Sequence, residues 1–457
     1  MLFFQLMVVV FVVGYLAIAM EHPIKINKAA PALLIGVLTW SIYILFATSP
    51  ADFQFAPNWH EWVEANGENA DAHGFIIKEL SEHLGEIAET LFFLLGAMTI
   101  VELIDRYDGF RIITSHIKAK NKVKLLWIVG LLTFFMSAAL DNLTSTIVLI
   151  ALLRKLISDQ QTRWIYASVV VLAANAGGAW SPIGDVTTIM LWIGGQVSAL
   201  NIIKGIFIPS VVTLVVPLVI LSFTLKGEVS RPVHVEAAEL NLTTPKEQVL
   251  MLIIGVLSLL FVPVFKTITH LPPYMGMLFG LGVLWCVTEM MRKRKTDHEV
   301  RKRLSVVNVL RNVDTTTILF FLGILIAVGA LSSAGHLSQF AGWLDNVTNK
   351  NIYVINLAIG VLSSIVDNVP LVAGAMGMYE INPEIAVFAQ DGTFWEMLAY
   401  CAGTGGSVLI IGSAAGVAAM GLEKIDFIWY LKKISWLALI GFLAGAGVYY
   451  LETIICG

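Results

Sequence analysis

Two stretches place an aspartate-asparagine pair inside otherwise apolar sequence: "SAALDNLTST" at 137–146 and "SSIVDNVPLV" at 363–372. Other oxygen donors stand near each pair. Asp141 and Asn142 are joined by Thr144, Ser145, Asn175, Ser181, Asp185, Thr187 and Thr188; Asp367 and Asn368 are joined by Thr404, Ser407 and Ser413. Carboxylate, amide, hydroxyl and backbone oxygens are the ligands of hard cations, and this set holds no Arg or Lys to suit an anion. The chemistry it points to is reversible binding of a small cation. An ionised aspartate at the centre of a bilayer costs roughly 2.5–3.5 kcal/mol on insertion scales, so it persists only with a partner, a proton or a task. Read one at a time, the Asn, Ser and Thr residues are more simply hydrogen-bonding links between helices.

The bilayer is inferred from composition. The chain has 457 residues, 57% hydrophobic and only 14% charged, with a mean hydropathy of +0.80, against about 25% charged in soluble domains. It is therefore expected to be an all-α polytopic membrane protein without a soluble domain. The net charge of −4 is spread over loops and implies no nucleic-acid partner. Cys286, Cys401 and Cys456 have neither disulfide nor metal-site spacing, and nothing in the sequence asks for a cofactor. The N-terminal segment lacks a basic leader and reads as a retained membrane helix.

Apolar segments lie near 2–20, 31–47, 87–104, 124–153, 164–196, 202–225, 247–265, 274–291, 314–332, 351–379, 395–421 and 427–450. Segment 124–153 is long for one crossing and too short for two, since a span takes about twenty residues. Lys118, Lys120, Lys122 and Lys124 precede it, and Arg154, Lys155 and Arg163 follow it. The positive-inside rule places both flanks in the cytoplasm, so a re-entrant hairpin with its tip near Asp141 is expected. Segment 351–379 has a similar length but is followed by Glu380, Glu384 and Asp391, and is expected to enter from outside. With the basic loop 292–303 inside and the mainly acidic stretch 48–75 outside, the chain threads as ten full crossings and two hairpins, both termini outside. Irregular backbone at mid-membrane depth is tolerated only where protein or a watery cavity surrounds it, so each tip should line a site.

These features recur in order. "LFFL" occurs at 91–94 and 319–322; Asp141-Asn142 recurs as Asp367-Asn368, a shift of 367 − 141 = 226; "NAGGAWSPIG" at 175–184 aligns with "GTGGSVLIIG" at 403–412, a shift of 403 − 175 = 228. By the threading above the two units start on opposite sides. The expected architecture is two inverted repeats, 1–240 and 241–457, each with a re-entrant hairpin (124–153; 351–379) and a helix broken by glycine (164–196; 395–421). In the first, Gly177, Gly178, Pro182 and Gly184 should open the backbone ladder before Asp185; in the second, Gly403, Gly405, Gly406 and Gly412 do so without a proline. Matching interrupted helices in two halves are the best sequence pointer to a transporter's binding site.

The halves differ in charge. Asp185 aligns with Ser413, so Asp141, Asn142 and Asp185 are expected to form the main cation site, with Asp367 closer to alone. Two carboxylates in one low-dielectric pocket cannot both remain charged without a counter-ion, so proton and cation would compete for the same oxygens. Among the other acids, Glu79, Glu82, Glu86 and Glu89 share one face of a helix. Glu79 and Glu82 read as solvated, whereas Glu86, Glu89 and neighbouring His83 sit at the membrane edge as an outer access route. Asp314 is an accessory candidate that helix capping explains as well.

The paired Asp-Asn tips, the "GGAWSPIGDVTT" stretch and the repeat layout resemble the NhaD-type sodium/proton antiporters of the ion transporter superfamily over nearly the whole chain. The resemblance implies exchange of Na⁺, or Li⁺ in its place, for H⁺ across the cytoplasmic membrane, a homodimer, and elevator-like motion of a body bearing both hairpins. Carboxylate-transporting relatives carry Ser-Asn-Thr at the tips, where this chain has aspartate; arsenite exporters also carry acids there. Carboxylate or oxyanion transport is thus the alternative within the superfamily. A membrane-embedded aspartyl protease, suggested by "IGD" at 183–185, explains neither repeat nor hairpins.

Overall fold

The structure, a computed structural model, describes residues 2–67, 70–112, 117, 119–230 and 243–456. The expected boundary at 240 and Lys118 of the basic flank lie outside the described residues. Among the described residues the chain is helical with no strand, and one isolated bridge joins Asn121 to Glu228. Among the described residues eight helices are long and apolar enough to cross a membrane. Their outward surfaces remain apolar, with Leu34, Val37, Leu45, Phe223 and Ile253 all exposed. A surface facing lipid tails has no reason to be polar, and the chain is a polytopic membrane protein.

The first hairpin consists of helices Lys122–Leu140 and Asn142–Leu156, joined by Asp141 alone. Both of its outer ends reach one face of the molecule. Lys122 N donates to Gly227 O (3.0 Å), Ser158 N donates to Ser230 O (2.9 Å), and the Tyr166 hydroxyl donates to Lys122 O (2.5 Å). The second hairpin, Ile352–Ser363 and Asn368–Met378, has a wider bend at 364–367. Its outer ends meet the opposite face, where Tyr379 stacks on Phe388 (5.1 Å between ring centroids) and Asn356 Nδ2 donates to Phe394 O (3.3 Å).

Two helices are interrupted. Gln160–Ala179 stops at Trp180 and resumes as Val186–Ile193. Thr393–Gly405 stops at Gly406 and resumes as Ala414–Glu423, so Gly403 and Gly405 are still helical and the opening spans 406–413. The two interrupted helices run in opposite directions. One passes from Arg163 to Gln196, the other from Asp391 to Glu423, with Asp391 N donating to Gln196 O (2.8 Å) at one face and Arg163 Nε to Glu423 Oε2 (2.5 Å) at the other.

Each hairpin's first arm lies along the first half of an interrupted helix through the same pair of contacts. Ser137 Oγ donates to Ala174 O (2.6 Å) and Ser363 Oγ to Ala402 O (2.7 Å), at shifts of 363 − 137 = 226 and 402 − 174 = 228. Gly177 faces Phe134 O, and Gly405 faces Gly360 O, so closely that a Cβ would overlap the carbonyl. Close approach requires glycine at these two places. A second group, built from Leu2–Ala19, Ala29–Phe46, Ala72–Arg106, Pro245–Thr269, Pro273–Lys293 and Thr315–Ser333, packs mainly on itself beside the hairpin-bearing helices.

One of these helices corrects the sequence reading. Ala72–Arg106 starts fifteen residues before the expected span at 87 (87 − 72 = 15), capped by Asp71, which accepts from Gly74 N (3.0 Å). Glu79 is not solvated: it is 2% exposed and accepts from Ser333 Oγ (2.7 Å) and Asn58 Nδ2 (3.1 Å). The helix Thr315–Ser333 packs across that face, which the spacing of acids alone does not reveal. Glu82 is exposed as expected and accepts from Lys78 Nζ (3.1 Å).

Candidate functional site

Two hairpin tips and two helix breaks converge, and four residues cap the helices that restart there. Asp141 accepts from Thr144 N (2.7 Å) and Thr144 Oγ1 (2.9 Å), and Asp185 accepts from Thr187 N (3.0 Å) and Thr187 Oγ1 (2.9 Å). Asp367 accepts from Val369 N (3.3 Å) and Ser413 from Gly416 N (3.1 Å). Capping explains why polar residues occur at these points, since every restarted helix has orphan amide donors. It does not explain their choice. Asp141 has φ 94° and ψ 160°, a region that essentially only glycine occupies, whereas Asp367 has an unstrained φ of −52°.

Asp185 is 1% exposed and joins both tips. Its Oδ2 accepts from Asn142 Nδ2 (2.5 Å) and its Oδ1 from Asn368 Nδ2 (3.4 Å). Asn142 Nδ2 also donates to Asn175 Oδ1 (3.1 Å), and Asn175 Nδ2 donates to Ser407 Oγ and Ser413 Oγ (2.8 Å each), carrying the network into the second break. Sequence reasoning placed Asp185 with the first tip; the second is attached to it as well.

The other expected donors sit around this network. Ser181 Oγ donates to Ala138 O (2.5 Å), fixing the first break to the hairpin arm. Thr188 Oγ1 donates to Asp185 O (2.8 Å) and Thr404 Oγ1 to Tyr400 O (2.5 Å), within their own helices. A hydroxyl that donates its proton keeps lone pairs for another ligand. Ser145 Oγ and Thr146 Oγ1 are buried and have no hydrogen-bond partner. They follow Asn142 by three and four residues, hence on the same helix face. Two orphaned hydroxyl oxygens about one helical turn from Asn142 are what a polar ligand would satisfy. Thr146 was missed in the sequence reading, though its spacing from Asn142 signals the shared face.

Asp367 is not alone, and a lysine does reach this region. Lys28 Nζ lies 2.8 Å from Asp367 Oδ2, bridging 339 residues of chain. The pair lines a 370 Å³ cavity with Tyr15, Glu21, Ser413 and Phe427, on the side toward Glu423. A 530 Å³ cavity on the opposite side is lined by His83, Glu86 and Glu89, together with Met190, Ala373 and Met376. His83 Nε2 lies 3.2 Å from Ser333 Oγ and its Nδ1 3.7 Å from Glu86 Oε2. Asp314 stands apart from both cavities, capping its helix through Thr317 N (3.1 Å). Among the described residues no three His, Cys, Asp or Glu side chains gather as a metal centre, so an ion here would rest on mixed oxygens.

Comparison with known proteins adds to this geometry. Residues 7–390 match the family model described as "Citrate transporter". The chain is 45% identical to "Sodium/proton antiporter 1" of Arabidopsis thaliana over 97% of its own length and 71% of that protein. It is 42% identical to "Sodium/proton antiporter 2" of the same plant, over 97% and 98% of the two chains. Against "Na(+)/H(+) antiporter NhaD" of Vibrio cholerae it is 30% identical, over 93% and 86%.

Proposed function

The chain belongs to the NhaD-type transporters of the ion transporter superfamily, and from that premise we propose that it exchanges Na⁺, or Li⁺ in its place, for H⁺ by alternating access. It is a transporter, and the protease alternative falls with that membership. The observation that carries the proposal is the buried Asp185 carboxylate, which takes hydrogen bonds from both hairpin tips. Asn142, Asp185 and the unpartnered Ser145 and Thr146 hydroxyls supply the oxygens of a cation site, with the Asp141 carboxylate next to Asn142 in the chain. A proton replaces the cation on the same carboxylates, and this competition makes the cycle an exchange.

On this reading the segments 1–240 and 241–457 are inverted units, a view supported by the paired contacts at shifts of 226 and 228. The hairpins and interrupted helices move as one body against the other helices, in a homodimer of the cytoplasmic membrane. The Glu423 face is then cytoplasmic and both termini are outside, a reading supported by the basic residues around Arg154 and Arg163. The 370 Å³ cavity, which touches Asp367 and Ser413, then opens inward.

The family description raises citrate as cargo, and the site's chemistry argues against it. A tricarboxylate needs cationic partners. The network around Asp185 is built of amides, hydroxyls and acids, and Lys28 is engaged by Asp367. The test is a reconstituted vesicle with an imposed pH gradient. Na⁺ and Li⁺ collapse the gradient; K⁺, citrate and arsenite leave it standing. Collapse by citrate or arsenite alone would overturn the proposal.

A further inference from the structure

We propose that Lys28 is a tethered competitor of the transported cation, whose ammonium fills at the second hairpin tip the place that the first tip leaves to a free ion. The inference rests on the exchange reading above and extends it to the difference between the two tips.

Two groups receive the ammonium. Asp367 Oδ2 is 2.8 Å from Lys28 Nζ, and the centroid of the Phe320 ring lies 4.2 Å from the same nitrogen, presenting a π face to the charge. The side chains of Lys28 and Asp367 are 25% and 15% exposed, within the 370 Å³ cavity. Lys28 is anchored from behind, its backbone N donating to Glu21 Oε1 (3.2 Å), just before the helix Ala29–Phe46. The Tyr15 hydroxyl, in the same cavity wall, is buried without a partner.

The first tip is built differently. Among the described residues Asp141 meets no Lys or Arg, and its oxygens are engaged by Thr144. The aspartates align in the sequence repeat, yet one is neutralised from within the chain and the other is not. A tethered ammonium is present at high effective concentration, so a free cation gains Asp367 only by displacing it. Asn368, the next residue, donates to Asp185 (3.4 Å), so the occupant of the second tip is one residue from the central carboxylate. Lys28 thereby keeps cation binding to the first tip and leaves the second in place as a hydrogen-bonding support.

The test is Na⁺ binding by calorimetry on the purified full-length chain. Wild type shows a single class of sites. Lys28→Met frees the Asp367 carboxylate, and a second class of Na⁺ sites appears; adding Asp367→Asn to that variant removes it again. Lys28→Arg, which keeps the tethered charge, retains the wild-type isotherm. An unchanged isotherm in Lys28→Met, with Na⁺/H⁺ exchange intact in wild type, would overturn the inference and leave the proposed function standing. Absence of exchange in wild type would instead remove the function. Should Lys28→Met not reach the membrane, Lys28→Gln takes its place, keeping a neutral donor for Asp367 with the same expectation. Failure of both to insert would make Lys28 a folding residue and overturn the inference.

Discussion

Replacing Asp141 with glycine separates what the first tip needs for folding from what it needs for transport. Asp141 holds φ 94° and ψ 160°, and such a conformation in a residue with a Cβ costs about 1–3 kcal/mol. Glycine removes that strain. Against the gain stand about 0.5–1 kcal/mol of extra backbone entropy lost on folding and a few tenths of a kcal/mol for a weaker N-cap. The variant is therefore expected to be as stable as wild type or more stable, by roughly 0–2 kcal/mol. Its midpoint of thermal unfolding, measured on the purified full chain in one detergent without Na⁺, should be equal or higher. Saturating Na⁺ should then raise the wild-type midpoint by mass action, about 2.7 kcal/mol at a hundred times Kd, and leave the variant's unmoved. Vesicle exchange should be lost. Asp141→Asn is the companion, since asparagine caps about as well as aspartate and removes only the charge. A glycine variant that exchanges Na⁺ at the wild-type rate would refute the role of the carboxylate. One that unfolds well below wild type would refute the strain argument.

Asp185→Asn turns one of two accepting oxygens into a donor against Asn142 or Thr187; it should lose Na⁺ binding in calorimetry and about 1.5–3 kcal/mol of stability by denaturant titration. Thr146→Val removes a buried hydroxyl that has no protein partner, so stability without Na⁺ should hold or rise while apparent Na⁺ affinity in the vesicle assay falls. Gly177→Ala drives a Cβ into Phe134 O and should cost about 1–3 kcal/mol, read as a lower unfolding midpoint with exchange weakened because the first hairpin is displaced.

The parts of the fold that sequence reveals are those where a local pattern conflicts with its surroundings. A polar pair inside an apolar run too short for two crossings announces a hairpin, and Gly-Gly followed by Ser-Pro announces a break. Charge flanks and the repeat add direction. Pairing between distant segments has no such signature. Lys28 reads as one more interfacial lysine, and only the fold carries it to Asp367. The acid spacing that made Glu79 look solvated describes one helix and is silent about the neighbour bringing Ser333. The strain at Asp141 is equally hidden, because aspartate is an ordinary capping residue until its φ is known.

That strain also bears on why acids stand at these caps. A restarted helix presents free amides and a positive dipole end, which by themselves repel a cation. Converging restarts at 142, 186, 368 and 414 would make a site for an anion if all were capped by neutral groups. Aspartate at three of the four reverses the sign while still satisfying the amides, and Lys28 returns one of those charges to neutral. Of the two acids without an ammonium partner, Asp185 is held by both tips, and Asp141 is kept where glycine would turn the chain more easily. A backbone that tolerates aspartate at such a point, against its own preference, retains it for the charge, and the charge is what a proton and a sodium ion can alternately neutralise.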